Sequence, residues 1–280
     1  MFPISHTESM KVTVLGSGTS QGIPVVGCSC PVCFSPDERD KRMRASVFIE
    51  GFSGENLLID AGPEFRLQAL RAGIKHIDGI FLTHAHADHL HGLDDVRPLS
   101  WENPIPVYAN EQTIMEMKER FSYVWKETQV GGGKPKITPK VLNEPLKIGN
   151  LEITPVPVKH GCLDILGWEV SEKNNSGEKF LYLTDTSFIP DSSKKQLENQ
   201  NCSRVIIIGG LRIRPHKTHF CFEEALDAVQ NLKAKEVYLT HICHSHSFKE
   251  IDDFCQNYRE KRELKKMEIH PAWDGLELTI

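Results

Sequence analysis

No apolar run in this 280-residue chain approaches the roughly 18 residues that a membrane helix needs, and hydrophobic residues make up an ordinary 39% of it. The expectation is a folded, soluble protein with no membrane partner. Positive charge is also scarce: 33 Lys and Arg face 38 Asp and Glu, for a formal net charge of −5. That balance argues against nucleic acid as a general partner, while leaving room for a local basic pocket. The opening residues, MFPISHTESMKVTVLG, lack the basic n-region and long apolar h-region of an export signal, so the expected location is the cytoplasm. Cysteine, by contrast, is not scarce. Eight cysteines in such a setting read as thiols or metal ligands rather than as a disulfide framework. Cys162, Cys202, Cys221 and Cys255 are scattered and read as ordinary small side chains.

The length is long for one domain and short for two, which suggests one domain over residues 1–280 built of two similar halves, with 1–9 as a loose extension. MKVTVLG (10–16) alternates and runs into the turn GSGTSQG, and ASVFIE (45–50) and NLLIDAG (56–62) form a strand pair. A helix follows Pro63, with Phe65, Leu67, Ala69 and Leu70 at near-helical spacing and a stop at Gly73. DGIFLT, PVYAN, LKI, LEITPVPVKH, LGWEV, KFLYLTD, RVIIIGG, EVYLTH and GLELTI read as strands, with helices over 111–125 and 222–233. Strands with interspersed helices in both halves give an α/β fold of two packed sheets with helices outside. KETQVGGGKPK (126–136) reads as a surface connection rather than a mobile lid.

The chemistry concentrates in THAHADHLHG (83–92). Finding H-x-H-x-D-H by accident in a chain with 13 histidines among 280 residues is about a one-in-a-thousand event. DGIFLT is a strand, so His84 and His86 project beyond its end to one side, and Asp88 and His89 follow in the turn. One tetrahedral ion cannot use all four and keep an open position, so two ions are expected, with further ligands from elsewhere. Three other apolar strands end in such residues: PVPVKHG in His160, FLYLTDT in Asp185 and EVYLTH in His241.

HAHADH followed in order by His160, Asp185 and His241 resembles the metallo-β-lactamase superfamily of binuclear metallohydrolases. The resemblance runs from about Lys11 to the C-terminus. It implies a four-layer αβ/βα sandwich, with two mixed β-sheets and helices on the outer faces. It also implies that His84, His86 and His160 hold one ion, Asp88, His89 and His241 the other, and that Asp185 bridges them. Asp60 in LLIDAG matches a position that orients a ligating histidine through its other nitrogen. His91 matches no family role.

GCSCPVC (27–33) supplies Cys28, Cys30 and Cys33, three corners of a structural zinc site. THICHSH offers Cys243, His244 and His246 for the fourth. Strand parity turns Cys243 toward His241 and His244 away, which favours His244. The early G-C-x-C-x-x-C with the late T-H-I-x-H resembles a narrower branch, the PhnP-type phosphodiesterases, which open phosphoribosyl 1,2-cyclic phosphate and carry an additional structural zinc. GLDDVRP (92–98) and the segment 209–226 look more like general relatives of that branch, so fold and metals transfer and the exact substrate does not.

The expected cofactors are two divalent ions, Zn²⁺ or Mn²⁺, in the active site and one structural Zn²⁺. Two such ions can share a hydroxide, and with Asp88 and Asp185 partly neutralising them the site suits an anionic ester. The expected activity is therefore binuclear metal-dependent phosphodiester hydrolysis on a small cyclic or nucleotide-like phosphate. Asp88 and His219 take the catalytic roles, since His219 in PHKTHF matches a further active-site histidine of the PhnP-type enzymes. Arg212, Arg214 and Lys217 are candidates to bind a second phosphate. Alternatives are an RNA-processing nuclease, a thioester or lactam hydrolase, or a non-catalytic zinc protein. A homodimer is compatible with the sequence, which carries no signal of oligomeric state.

Overall fold

Period-2 alternation and β-branched runs fold into fourteen strands, and the computed structural model describes them within residues 9–127, 133–173, 177–198 and 204–280. The extension expected at 1–9 lies outside the described residues save for its last position, and so does the centre of the 126–136 connection. The first half contributes β1 (Lys11–Gly16), β2 (Ser46–Glu50), β3 (Asn56–Ile59), β4 (Gly79–Phe81), β5 (Ile105–Ala109) and β6 (Ile137–Val141). The second contributes β7 (Leu146–Ile148), β8 (Leu151–His160), β9 (Leu163–Glu172), β10 (Lys179–Leu183), β11 (Arg204–Gly209), β12 (Ala234–Thr240) and β13 (Glu268–Pro271), and β14 (Glu277–Thr279) returns to the first sheet.

Each sheet has seven strands, in the orders β14-β1-β2-β3-β4-β5-β6 and β13-β12-β11-β10-β9-β8-β7. The two sheets repeat one plan. From β14 to β3, and again from β7 to β10, neighbours pair antiparallel; from β3 to β6 and from β10 to β13 they pair parallel. Parallel strands buried on both faces need continuous apolar sequence, which is how RVIIIG in β11 is fully buried.

The inner faces meet in one core. Val12, Val14, Ile49, Leu57 and Phe81 from the first sheet pack against Leu166, Trp168, Phe180, Val205 and Ile207 from the second. Trp168 is fully buried and meets the Phe81 ring edge-on at 5.2 Å. On the outer faces lie α1 (Phe65–Ala72), α2 (Ala87–Leu90) and α3 (Glu111–Arg120) beside the first sheet, and α4 (Asp191–Glu198), α5 (Phe222–Val229) and α6 (Phe248–Lys261) beside the second. These layers are the four-layer sandwich that the resemblance implied.

The helix after Pro63 stops at Gly73 as expected, whereas two later helices end earlier than expected. Leu67 and Leu70 of α1 are 50% and 67% exposed, whereas Gln68 is buried. Gln68 Nε2 donates to the Arg44 carbonyl at 2.9 Å, and that tertiary bond sets which face turns inward. The helix expected over 111–125 ends at Arg120 and tightens into a 3-10 turn at Ser122–Val124, with Phe121 buried between the two. The helix expected over 222–233 ends at Val229, with Phe222, Leu226 and Val229 on its buried face.

Candidate metal centre

Strand ends from both sheets deliver the ligand-type residues to one place, as open α/β sheets do at their carboxyl ends. β3 is followed by Asp60, β4 by His84 and His86 and then by α2 with Asp88 and His89; β8 ends in His160, β10 leads to Asp185 and β12 to His241. Asp60, Asp185 and His241 take positive φ of 61°, 51° and 56°, a conformation sparsely used by side-chain-bearing residues. Each turns the chain sharply off its strand. Strain of this kind persists only where surrounding contacts impose it. The Gly62 backbone packs so closely on α2 that an added Cβ would lie 2.3 Å from the Asp88 carbonyl oxygen.

The ligand-type atoms form two groups that share Asp185. His84, His86, His160 and Asp185 make one, and Asp88, His89, Asp185 and His241 the other. The two Asp185 oxygens face different groups. Oδ1 lies 3.3 Å from His89 Nε2 and 3.2 Å from His241 Nε2, whereas Oδ2 lies 3.8 Å from His84 Nε2 and 4.0 Å from His160 Nε2. Asp88 Oδ2 completes the second group, 3.1 Å from His89 Nε2 and 3.5 Å from His241 Nε2. With metal–ligand bonds of about 2.0–2.2 Å, tetrahedral edges come to about 3.4 Å, and this group falls on that value. The first group is wider, apart from the 2.9 Å between His84 Nε2 and His86 Nδ1.

Outer contacts fix the ring orientations. His89 Nδ1 lies 2.7 Å from Asp60 Oδ2, which also accepts from the Thr83 hydroxyl, while Asp60 Oδ1 accepts from Thr83 N, both at 2.8 Å. His160 Nδ1 donates to the Thr218 carbonyl at 2.6 Å. Both histidines therefore keep Nε2 for the centre. His89 Nε2 is buried and makes no hydrogen bond despite the carboxylates around it, a mark of a position meant for a cation. Burial opposes charge on His89, but Asp185, Asp88 and Asp60 outweigh it and push its pKa well above the ordinary value. Burial likewise opposes ionisation of Asp88 and Asp185, and the imidazoles overcome it and hold both well below the usual carboxylate range. Divalent cations would satisfy such a donor set.

Asp60→Asn is expected to weaken metal binding at the His89 group by about 10- to 100-fold, read by competition against a chromophoric chelator. Asparagine tolerates the left-handed backbone, so the loss would report the His89 contact and not strain. Unchanged affinity would remove Asp60 from this role.

His219 stands over the shared carboxylate, with Nδ1 3.9 Å from Asp185 Oδ2 and its ring 4.5 Å from that of His160 and 5.0 Å from that of His241. Burial, with the neighbouring imidazoles, pushes its pKa down to about 3 against the pull of Asp185. His91 is exposed and faces Phe121 instead. Residues without a sequence signal also serve the centre. The Thr218 carbonyl is one of them; farther off, Asp274 accepts from Ser17 N, Ser17 Oγ and Met43 N at 2.8–2.9 Å and ties the Gly-rich turn to the C-terminal segment.

A third cluster joins Cys28, Cys30, Cys33 and His244. The three sulfurs lie 3.4, 3.5 and 3.6 Å from His244 Nδ1. A tetrahedral zinc with bonds of about 2.3 Å to sulfur and 2.05 Å to nitrogen gives an S···N edge of about 3.6 Å, so the donors fit one zinc ion. The Cys33 backbone N–H helps bring the Cys30 thiol down to about 6, whereas burial pushes Cys33 up to about 11. Cys243 turns to Ser245, its sulfur 3.1 Å from the hydroxyl.

Residues 55–242 match the family model of the beta-lactamase superfamily domain. The chain belongs to the metallo-β-lactamase superfamily. Among solved structures of the superfamily, a diphosphatase from the PhnP family is 38% identical, with a TM-score of 0.81 and 97% of each chain covered. A Porphyromonas gingivalis protein named octanoyltransferase is 35% identical over 273 residues, 97% of this chain and 52% of that protein. The chain thus spans about half the length of that relative. An exodeoxyribonuclease, YycJ of Bacillus anthracis, is 24% identical over 227 residues, covering 72% of this chain and 79% of that one. Among the described residues, no helix is long and apolar enough to cross a membrane.

Proposed function

We propose that this metallo-β-lactamase-superfamily hydrolase is a binuclear metal-dependent phosphodiesterase that opens a small cyclic or nucleotide-like phosphate ester, of the phosphoribosyl 1,2-cyclic phosphate type. The observation that carries the reading is Asp185, whose two oxygens face separate ligand groups with His219 poised over them. In this reading His84, His86 and His160 hold one ion, Asp88, His89 and His241 the other, and Asp185 both. Two divalent ions held there supply a water of lowered pKa and positive charge for an in-line displacement. Asp88 and Asp185 fix the spacing and leave the site net positive for an anionic ester. His160 and His89 are locked by Thr218 and Asp60, so these ligands need no rearrangement on binding. His219 offers an N–H to a phosphoryl or leaving-group oxygen on the open side.

The test is hydrolysis of bis(p-nitrophenyl) phosphate by protein loaded with Mn²⁺ or Zn²⁺, then of phosphoribosyl 1,2-cyclic phosphate, with single-stranded DNA as a third substrate. Metal-dependent turnover of the first two supports the reading; its absence in metal-replete protein overturns it. His219→Ala is expected to lower kcat by about 10²–10⁴ with bound metal unchanged. Full activity in that variant would remove His219 from the reaction. A second reading, chemistry on an octanoyl group, rests on the match to the octanoyltransferase, of which this chain spans 52%. An octanoyl thioester in the same assay decides between the two.

A further inference from the structure

On the outer face of the first sheet, α1 and the 3-10 helix Leu93–Ser100 lie side by side with a groove between them. The groove is two adjoining hollows of about 320 and 440 Å³ that share Pro98 and Leu99. Ala69, Leu70 and Ile74 line the first, Trp101 and Pro104 the second. Leu70 and Trp101 are 67% and 64% exposed, and Leu67, one helical turn before Leu70, is 50% exposed. Lone apolar side chains at a surface are ordinary, but a contiguous apolar groove marks a contact surface.

The charges on its rim are sorted by wall. Arg66 and Lys75 belong to α1 and the turn after it, Asp95 and Glu102 to the 3-10 helix and the residues just past its end, and all four are exposed. Arg66 and Asp95 line the first hollow, Lys75 and Glu102 the second, so a cation and a carboxylate stand at each level of the groove. Among the described residues none of the four makes an ion pair or a side-chain hydrogen bond, whereas their neighbours are committed. Arg71 faces Asp274 at 3.6 Å and His76 faces Asp78 at 2.8 Å, while Asp94 accepts from the Tyr123 hydroxyl at 2.5 Å and Arg97 donates to the Gly133 carbonyl at 3.1 Å.

We propose that this groove is the interface of a homodimer whose two-fold axis runs along the groove. The inference stands apart from the phosphodiesterase reading. An isologous contact sets one patch against itself, so the patch must complement its own image. With the axis along the groove, in the plane between the copies, the walls are exchanged. Arg66 of each copy then comes opposite Asp95 of the other, and Lys75 opposite Glu102. An axis across the groove would instead set Arg66 against Lys75 and Asp95 against Glu102, with like charges opposed. The favourable arrangement brings the apolar floors face to face at the centre and leaves the ion pairs at the rim, the usual plan of a protein interface.

Sedimentation velocity on the metal-loaded full chain tests it. The expected wild-type result is a dimer with a Kd at or below about 10 μM. Leu70→Glu is expected to raise that Kd by at least about 100-fold, because each dimer would then bury two carboxylates in an apolar contact. Arg66→Asp and Asp95→Arg each oppose like charges twice per dimer and are expected to raise it by about 10- to 100-fold. Mixing these two charge variants in equal amounts is expected to restore a dimer of near wild-type Kd, because in the mixed pair every rim contact again joins opposite charges. Each chain of the mixture still carries like charges on its own rim, so a contact within one chain cannot produce that rescue. All variants are compared at wild-type metal content and circular dichroism. A wild type that stays monomeric at about 100 μM overturns the inference. So does a dimer that survives Leu70→Glu, which would place the contact on another face, and so does a mixture of the two charge variants that stays monomeric.

Discussion

Asp185→Ala is expected to abolish phosphodiester hydrolysis, by at least about 10³-fold, and to lower the active-site metal content below two ions per chain. The side chain is nearly fully buried, and Asp185 is the only residue among the described ones that belongs to both ligand groups, one oxygen facing each. Its removal leaves His84, His89, His160 and His241 around an uncompensated space, so two cations would repel one another with no anion between them. Alanine must also adopt the φ of 51° that Asp185 holds, which costs about 1 kcal/mol or more. Asp185→Asn separates the two effects. It keeps shape and tolerates the backbone but removes the charge, so metal retention in Asn with loss in Ala would assign the damage to the backbone. Metal analysis with bis(p-nitrophenyl) phosphate turnover reads both variants, and an Ala variant that keeps two ions and full turnover would sink the bridging role.

Much of this arrangement is legible in the amino-acid sequence, and the reason is local. HAHADH concentrates ligand-type residues just past an apolar strand, and His160, Asp185 and His241 each stand at or just past an apolar strand end, so period and punctuation together mark the positions. The parts that escape the sequence depend on distant partners. The Thr218 carbonyl that orients His160 comes from a loop 58 residues away, and backbone oxygens carry no residue signature. The left-handed turns at Asp60, Asp185 and His241 have no glycine to announce them. In α1 the buried face is made by Phe65 and Gln68, and the Gln68 bond to the Arg44 carbonyl leaves no mark in the apolar spacing. The longest helix, α6, shows the opposite case. Its capping box of Ser247 and Glu250 and the buried stripe Phe248, Ile251, Cys255 and Tyr258 at helical spacing are written in the sequence, although FKEIDDFCQNYREK is polar on average and no helix was expected there.

Cys33→Ser is expected to remove one zinc ion per chain and to lower Tm by about 5–10 °C, a loss of a few kcal/mol in a domain of this size. The segment 24–35 contains no strand or helix, and its own core is limited to Ile23, Val32 and Cys33 with Val25, Cys28 and Cys30 against them. Val26 and Phe34 are 98% and 73% exposed, so hydrophobic burial does little to order it. Four donors drawn together by a bound metal ion would then be its main restraint. The consequence extends further, because His244 follows His241 by three residues. The intervening backbone is held by the buried Arg42, which donates to the carbonyls of Cys243 at 3.0 Å and His246 at 3.2 Å and pairs with Asp40 at 2.9 Å. Asp40 in turn accepts from Phe248 N at 2.6 Å, at the start of α6. Loss of the zinc should therefore make 24–35 the first site cut in limited proteolysis and weaken active-site metal binding through His241, while Arg42 and the sheets keep the sandwich folded. Unchanged zinc content and Tm in Cys33→Ser, with the segment still resistant to protease, would show that the three thiols serve no metal at all.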